Sequence, residues 1–113
     1  MPDNNLEYAS IDELAPHIES GDLSPVELTR ASLDRIEALE PQLNAFLEVF
    51  SEDALAQART AEAEITSGNY KGPMHGITVA LKDLIDVEGT ITTGGSTILK
   101  DNMATSDATI TRL

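Results

Sequence analysis

The chain has 113 residues, room for one ordinary domain at most. Its 20 acidic residues against 7 basic ones leave a net charge of −13, which argues against direct binding to nucleic-acid phosphates or to an anionic membrane surface. There is no cysteine, so disulfides and thiolate metal sites are excluded, and the 2 histidines, His17 and His75, have no metal-ligand spacing.

Residues 1–8 read as a frayed terminus. Met-Pro-Asp-Asn-Asn lacks the basic and apolar regions of a signal peptide, and no run approaches the roughly 18 apolar residues of a membrane helix. With no cysteine to oxidise, a cytoplasmic protein without membrane partners is expected. Ser10-Ile-Asp-Glu13 is a capping box that opens a helix ending near Ser20, with Gly21 as its stop. Ser24-Pro-Val-Glu27 is a second capping box with Pro25 at the first helical position. That helix is expected to run to about Leu39, burying Val26, Leu33 and Ile36, and to be stopped by Pro41.

Residues 44–50 alternate apolar Ala45, Leu47 and Val49 and read as a strand. Ser51 is expected to cap a helix over residues 52–66 with Leu55, Ala58, Ala61 or Glu62, and Ile65 facing inward. Gly68 and Asn69 close it. A turn over residues 71–76 leads into a central strand over 77–82. There Ile77, Val79 and Leu81 face one way and Thr78, Ala80 and Lys82 the other. Both faces lack charge until Lys82, the pattern of a strand covered on both sides.

From the residues alone Lys82 has two readings. It either snorkels out at the strand end or sits in a dry site where a lysine can carry a proton. Residues 88–96, rich in glycine and hydroxyls, read as loop with at most a short strand. Residues 107–113 look like the first turns of a helix capped by Ser106. Together, residues 9–113 make an α/β fold, with N-terminal helices packed on the start of a mixed β-sheet.

Three separated motifs occur in a telling order. They are Gly72-Pro-Met-His-Gly-Ile-Thr-Val-Ala-Leu-Lys-Asp83, then Asp86-Val-Glu-Gly-Thr-Ile-Thr-Thr-Gly-Gly-Ser96, then Asp107-Ala-Thr109. With Ser24-Pro-Val-Glu-Leu28 and Asn44-Ala-Phe46 before them, they closely resemble the N-terminal part of the amidase signature family. The resemblance covers the chain from about residue 9 and implies an incomplete core of a single domain.

Members of that family hydrolyse or transfer amide bonds with a serine, a second serine in a cis peptide, and a lysine. The Gly-Ile-x-Val-Ala-x-Lys-Asp motif puts that lysine at Lys82. The resemblance implies a small-molecule amide substrate; no cofactor and no metal are expected. In such a site a neutral lysine accepts a proton through the bridging serine, and backbone N–H groups stabilise the oxyanion. Asp83 would either steady the lysine or cap the strand end by accepting backbone hydrogen bonds.

The chain departs from the family pattern at Thr78, where proline is usual. It also lacks the downstream Gly/Ser-rich motif that carries both serines, so the 113 residues alone are expected to be inactive. Ser96, in Gly94-Gly-Ser96, is a poor substitute because no base is placed beside it. His75 and Asp86 read as turn or cap residues.

Asp83-Leu-Ile-Asp-Val87 looks more like general amidases than like the A subunit of a glutamyl-tRNA(Gln) or aspartyl-tRNA(Asn) amidotransferase. Two further alternatives are a non-catalytic fragment or binding module, and a chain that self-associates or is completed by a second chain supplying the serines.

Overall fold

A computed structural model describes residues 6–113, which divide into two units, one ending at Thr78 and the other Val79–Leu113. Of the terminus read as frayed, the first five residues lie outside the described residues. Leu6 packs on the core, and Glu7 and Tyr8 engage the Arg35 guanidinium, which lies 5.3 Å from the Tyr8 ring centre.

Helix α1, Ile11–Ser20, begins as its capping box dictates. Ser10 N–H donates to Glu13 Oε2 at 2.7 Å, and Glu13 N–H donates to Ser10 Oγ at 3.3 Å. Gly21 ends it with φ 82°, the left-handed conformation that favours glycine. Leu23 N–H then donates to His17 C=O at 3.0 Å, which folds Leu23 back under the helix at 0 % exposure. Leu14, Ile18, Leu23, Leu28 and Ile65 form the core of this unit, with Ala9, Tyr70 and Ile77 packed against it. Each buried aliphatic side chain contributes about 1.5–3 kcal/mol. A cap supplies about 1 kcal/mol, so this cluster rather than the caps holds the unit together.

Helix α2, Pro25–Leu43, runs past the expected end near Leu39 and contains Pro41. A proline one turn from a helix end removes only one donor, and Pro41 and Glu37 are both exposed, where water can satisfy the freed carbonyl. Asn44 stops the helix instead, with φ 48° and its N–H on Glu40 C=O at 2.8 Å. The buried residues are Pro25, Leu28 and Thr29, while Val26, Leu33 and Ile36 are half-buried. Only half of the second capping box is made. Ser24 Oγ accepts from Val26 N–H at 3.0 Å and Glu27 N–H at 3.3 Å, but its hydroxyl donates to Glu62 of the next helix.

Helix α3, Ser51–Thr66, packs against α2. Ser51 is its first residue rather than its cap; Phe50 takes the cap position and makes no side-chain cap bond. Ala58 and Ile65 are buried, and Leu55, Ala61 and Glu62 are half-buried, so the expected stripe is present with both third-position candidates partly covered. Gly68, at φ 87°, closes the helix, and Asn69 N–H donates to Glu64 C=O at 2.9 Å.

The mixed sheet is not formed among the described residues. Residues 44–50 and 77–82 lack regular structure, and Leu47 and Val79 are 80 % and 64 % exposed. Alternation marks which side chains could share a face, but a strand also needs a ladder partner for its backbone, and among the described residues neither segment has one. One isolated antiparallel bridge, Ile91 with Met103, is the only β-pairing among the described residues.

In the second unit that bridge is flanked by Gly89 N–H on Ala104 C=O and Thr92 N–H on Asn102 C=O, at 2.9 and 3.0 Å. Thr92 and Ala104 are buried there. Helix α4, Thr109–Arg112, starts from Ala108, not from Ser106, and has no side-chain cap. It is tied instead to Asp86, whose C=O accepts Ala108 N–H at 2.9 Å and the Thr111 hydroxyl at 2.7 Å. No helix among the described residues is long and apolar enough to cross a membrane.

Candidate active site

Lys82 lies at the end of the extended segment, with its side chain exposed. Among the described residues its ammonium makes no ion pair and no side-chain hydrogen bond. Its backbone is fixed more firmly. Lys82 C=O accepts Leu84 N–H at 2.8 Å and Ile85 N–H at 3.0 Å, a tight turn directly after the lysine.

Asp83 does not reach for Lys82. Its carboxylate accepts Thr93 N–H at 2.9 Å and the Thr93 hydroxyl, and its C=O accepts Gly94 N–H at 2.7 Å. The Thr93 hydroxyl first, then the Thr93 N–H, hold the Asp83 carboxyl below the usual carboxylate range. Gly94 and Gly95, at φ 56° and 73°, let the chain turn tightly around that carboxylate.

Ser96 is not poised as a nucleophile here: its Oγ accepts Ile98 N–H at 3.3 Å and opens the single 3₁₀ turn Thr97–Leu99. Asp86 acts through its backbone carbonyl in the contacts with α4, and Thr78 brings its hydroxyl to 3.4 Å from Ser32 Oγ of α2.

His75 carries more than a turn position. Its side chain is 9 % exposed, its Nε2 lies 2.9 Å from Glu64 Oε2, and its Nδ1 accepts Lys71 N–H at 3.2 Å. Lys71 Nζ reaches the same Glu64 oxygen at 2.6 Å, and the ring stacks on Tyr70 at 6.1 Å. The Lys71 ammonium first, then His75, hold the Glu64 carboxyl below its usual range. Sequence reasoning missed this cluster because no periodicity joins a helix residue to a turn 11 positions later. The only signal is Glu64 and Lys71 flanking a glycine stop.

The Amidase family model matches residues 27–113, a span that holds Lys82, Asp83 and Thr93. The chain belongs to the amidase family. Among its relatives is the A subunit of the glutamyl-tRNA(Gln) amidotransferase of Streptomyces coelicolor, 45% identical over 88% of this chain and 20% of that protein. The Mycobacterium bovis protein AmiD, named as an amidase, is 36% identical over 97% of this chain and 23% of its own length. A solved structure, described as part of a vestigial protein complex bearing on the origins of an s-triazine catabolic enzyme, superposes with a TM-score of 0.86 at 30% identity. It covers 92% of this chain and 23% of its own. The amidase chain thus spans about one fifth of the length of the curated relatives it matches.

Proposed function

We propose that this amidase-family chain supplies the proton-handling lysine of a site that cleaves the carbon–nitrogen bond of a small-molecule amide. One observation carries the reading. The run Gly76-Ile-Thr-Val-Ala-Leu-Lys-Asp83 resembles the family's lysine motif, with Lys82 in the place of that lysine, and it lies inside the matched span 27–113. The neutral amine would accept a proton relayed through one serine while a second serine attacks the amide carbonyl. Neither serine has a matching position among these 113 residues, so the residues alone are expected to be inactive. The expected location is the cytoplasm.

The test is steady-state hydrolysis of short aliphatic and aromatic amides by the whole protein. Lys82→Ala and Lys82→Met should lower kcat by about 10²–10⁴-fold. Either variant retaining full activity would remove Lys82 from the chemistry.

A second reading is the A subunit of a transfer-RNA amidotransferase, favoured by the 45% identity to the Streptomyces coelicolor protein. Asp83-Leu-Ile-Asp-Val87 favours the general amidase. Amidation of glutamyl-tRNA(Gln) by the whole protein combined with the other subunits of such an enzyme, with simple amides left untouched, would decide for the second.

A further inference from the structure

Thr93 has no part in the amidase chemistry outlined above, yet it meets Asp83 at two points. Its N–H donates to Asp83 Oδ1 at 2.9 Å and its hydroxyl donates to Asp83 Oδ2. The same hydroxyl accepts Gly95 N–H at 3.1 Å, while Gly94 N–H donates to Asp83 C=O at 2.7 Å. Asp83 is thereby tied through both carboxylate oxygens and its main-chain carbonyl to the turn at Thr93 and Gly94. The preceding carbonyl, that of Lys82, is held by Leu84 and Ile85.

Two consequences bear on Lys82. The peptide planes that follow it are held, which anchors the Cα from which the side chain projects. The negative charge nearest in sequence is also spent on Thr93. Among the described residues no other charged side chain pairs with Lys82 or with the Asp83 carboxylate. A carboxylate released beside the amine would favour its charged form, and a proton acceptor must be neutral.

We propose that Thr93 and Asp83 are a positioning pair for Lys82: Thr93 keeps the aspartate on the Gly94-Gly95 turn and off the lysine, and so holds the backbone from which the lysine projects. Neither residue touches substrate. The proposal rests on the reading of Lys82 as the proton carrier.

The experiment is a kinetic series on the whole protein with the amide substrates used for Lys82. Thr93→Val removes the hydroxyl at nearly constant volume and should lower kcat about tenfold or more with KM little changed. The limb of the kcat–pH profile on which the base loses its proton should move upward by about one unit, because the freed carboxylate can pair with the lysine. Thr93→Ser, which keeps the hydroxyl, should restore both kcat and the limb.

Asp83→Asn should lower kcat while leaving the limb in place, since a carboxamide carries no charge to pair. Adding it to Thr93→Val should return the limb to its original position. The Asp83→Asn and Thr93→Ser results stand even if Thr93→Val does not fold. Unchanged kcat in Asp83→Asn, or an unmoved limb in folded Thr93→Val, would overturn the pair while an inactive Lys82→Ala left the lysine reading intact. A fully active Lys82→Ala would overturn both.

Discussion

His75 and Glu64 meet at the last turn of α3, Nε2 to Oε2, at 2.9 Å. The other ring nitrogen settles the proton. Nδ1 accepts Lys71 N–H at 3.2 Å, so it carries a lone pair, and the proton of a neutral ring sits on Nε2 and donates to Glu64. The imidazole therefore bridges the turn over residues 71–76 to the last turn of α3. Asparagine can keep the acceptor near Nδ1, and glutamine can keep a donor near Nε2. His75→Asn and His75→Gln should each cost about 1 kcal/mol of whole-protein stability, and His75→Ala about 1–3 kcal/mol. Denaturant midpoints would rank them. Proton-detected nitrogen spectra that put the ring proton on Nδ1 would contradict the assignment.

Acid should destabilise the folded chain through identifiable carboxylates. Glu13 is held low by Ser10, first through its backbone N–H, Glu64 by the Lys71 ammonium, and Asp83 by the Thr93 hydroxyl. A lowered folded value means the stabilisation is complete above the unfolded carboxylate range, about pH 3.9–4.3. It is lost as pH falls through the lower folded values. Urea midpoints measured from pH 6 downward should stay level and then fall below that range. Asp83→Asn should flatten its share of the fall; an unchanged slope would contradict the assignment.

Two glycines with the same backbone demand should respond differently to alanine. Gly21 has φ 82° with nothing within 4 Å of an added Cβ, so Gly21→Ala should cost only the left-handed penalty, about 1–2 kcal/mol. Gly76 has φ 87°, and its Cβ would lie 2.8 Å from Pro25 Cγ and 3.5 Å from Ile18 Cγ2. Pro25 is a buried ring and cannot swing aside. Gly76→Ala should therefore add an overpacking cost of about 1–3 kcal/mol to the same penalty. Thermal denaturation of the two variants in the whole protein would show Gly76→Ala the less stable, and equal losses would refute the close approach.

Ser24 caps α2 while donating to Glu62 of α3, which should set serine above aspartate at this cap. Aspartate caps a helix about as well as serine, but Ser24→Asp would set a second carboxylate against Glu62. Ser24→Ala should cost about 1 kcal/mol, up to about 2. Ser24→Asp should also destabilise, and Glu62→Gln should rescue it. A Ser24→Asp protein as stable as the parent would mean the Glu62 contact carries little.

The sequence by itself determined the features that neighbouring residues settle among themselves. Ser10 and Glu13 close a loop of three residues, Gly21 supplies a left-handed stop, and Ser24 meets the two N–H groups that follow Pro25. The ordered motifs from residue 72 to 109 were enough to identify the family. Only the tertiary structure decided the Ser24–Glu62, Glu64–His75 and Asp83–Thr93 contacts, which join residues 38, 11 and 10 positions apart. No helical or strand period encodes such pairs, because each forms only once packing and turns have brought two distant backbones together. The same physics explains the segments over 44–50 and 77–82. Their alternation specifies faces, whereas a strand exists only where a second backbone offers its N–H and C=O groups, and such a partner is a property of the tertiary structure and not of the segment's own residues.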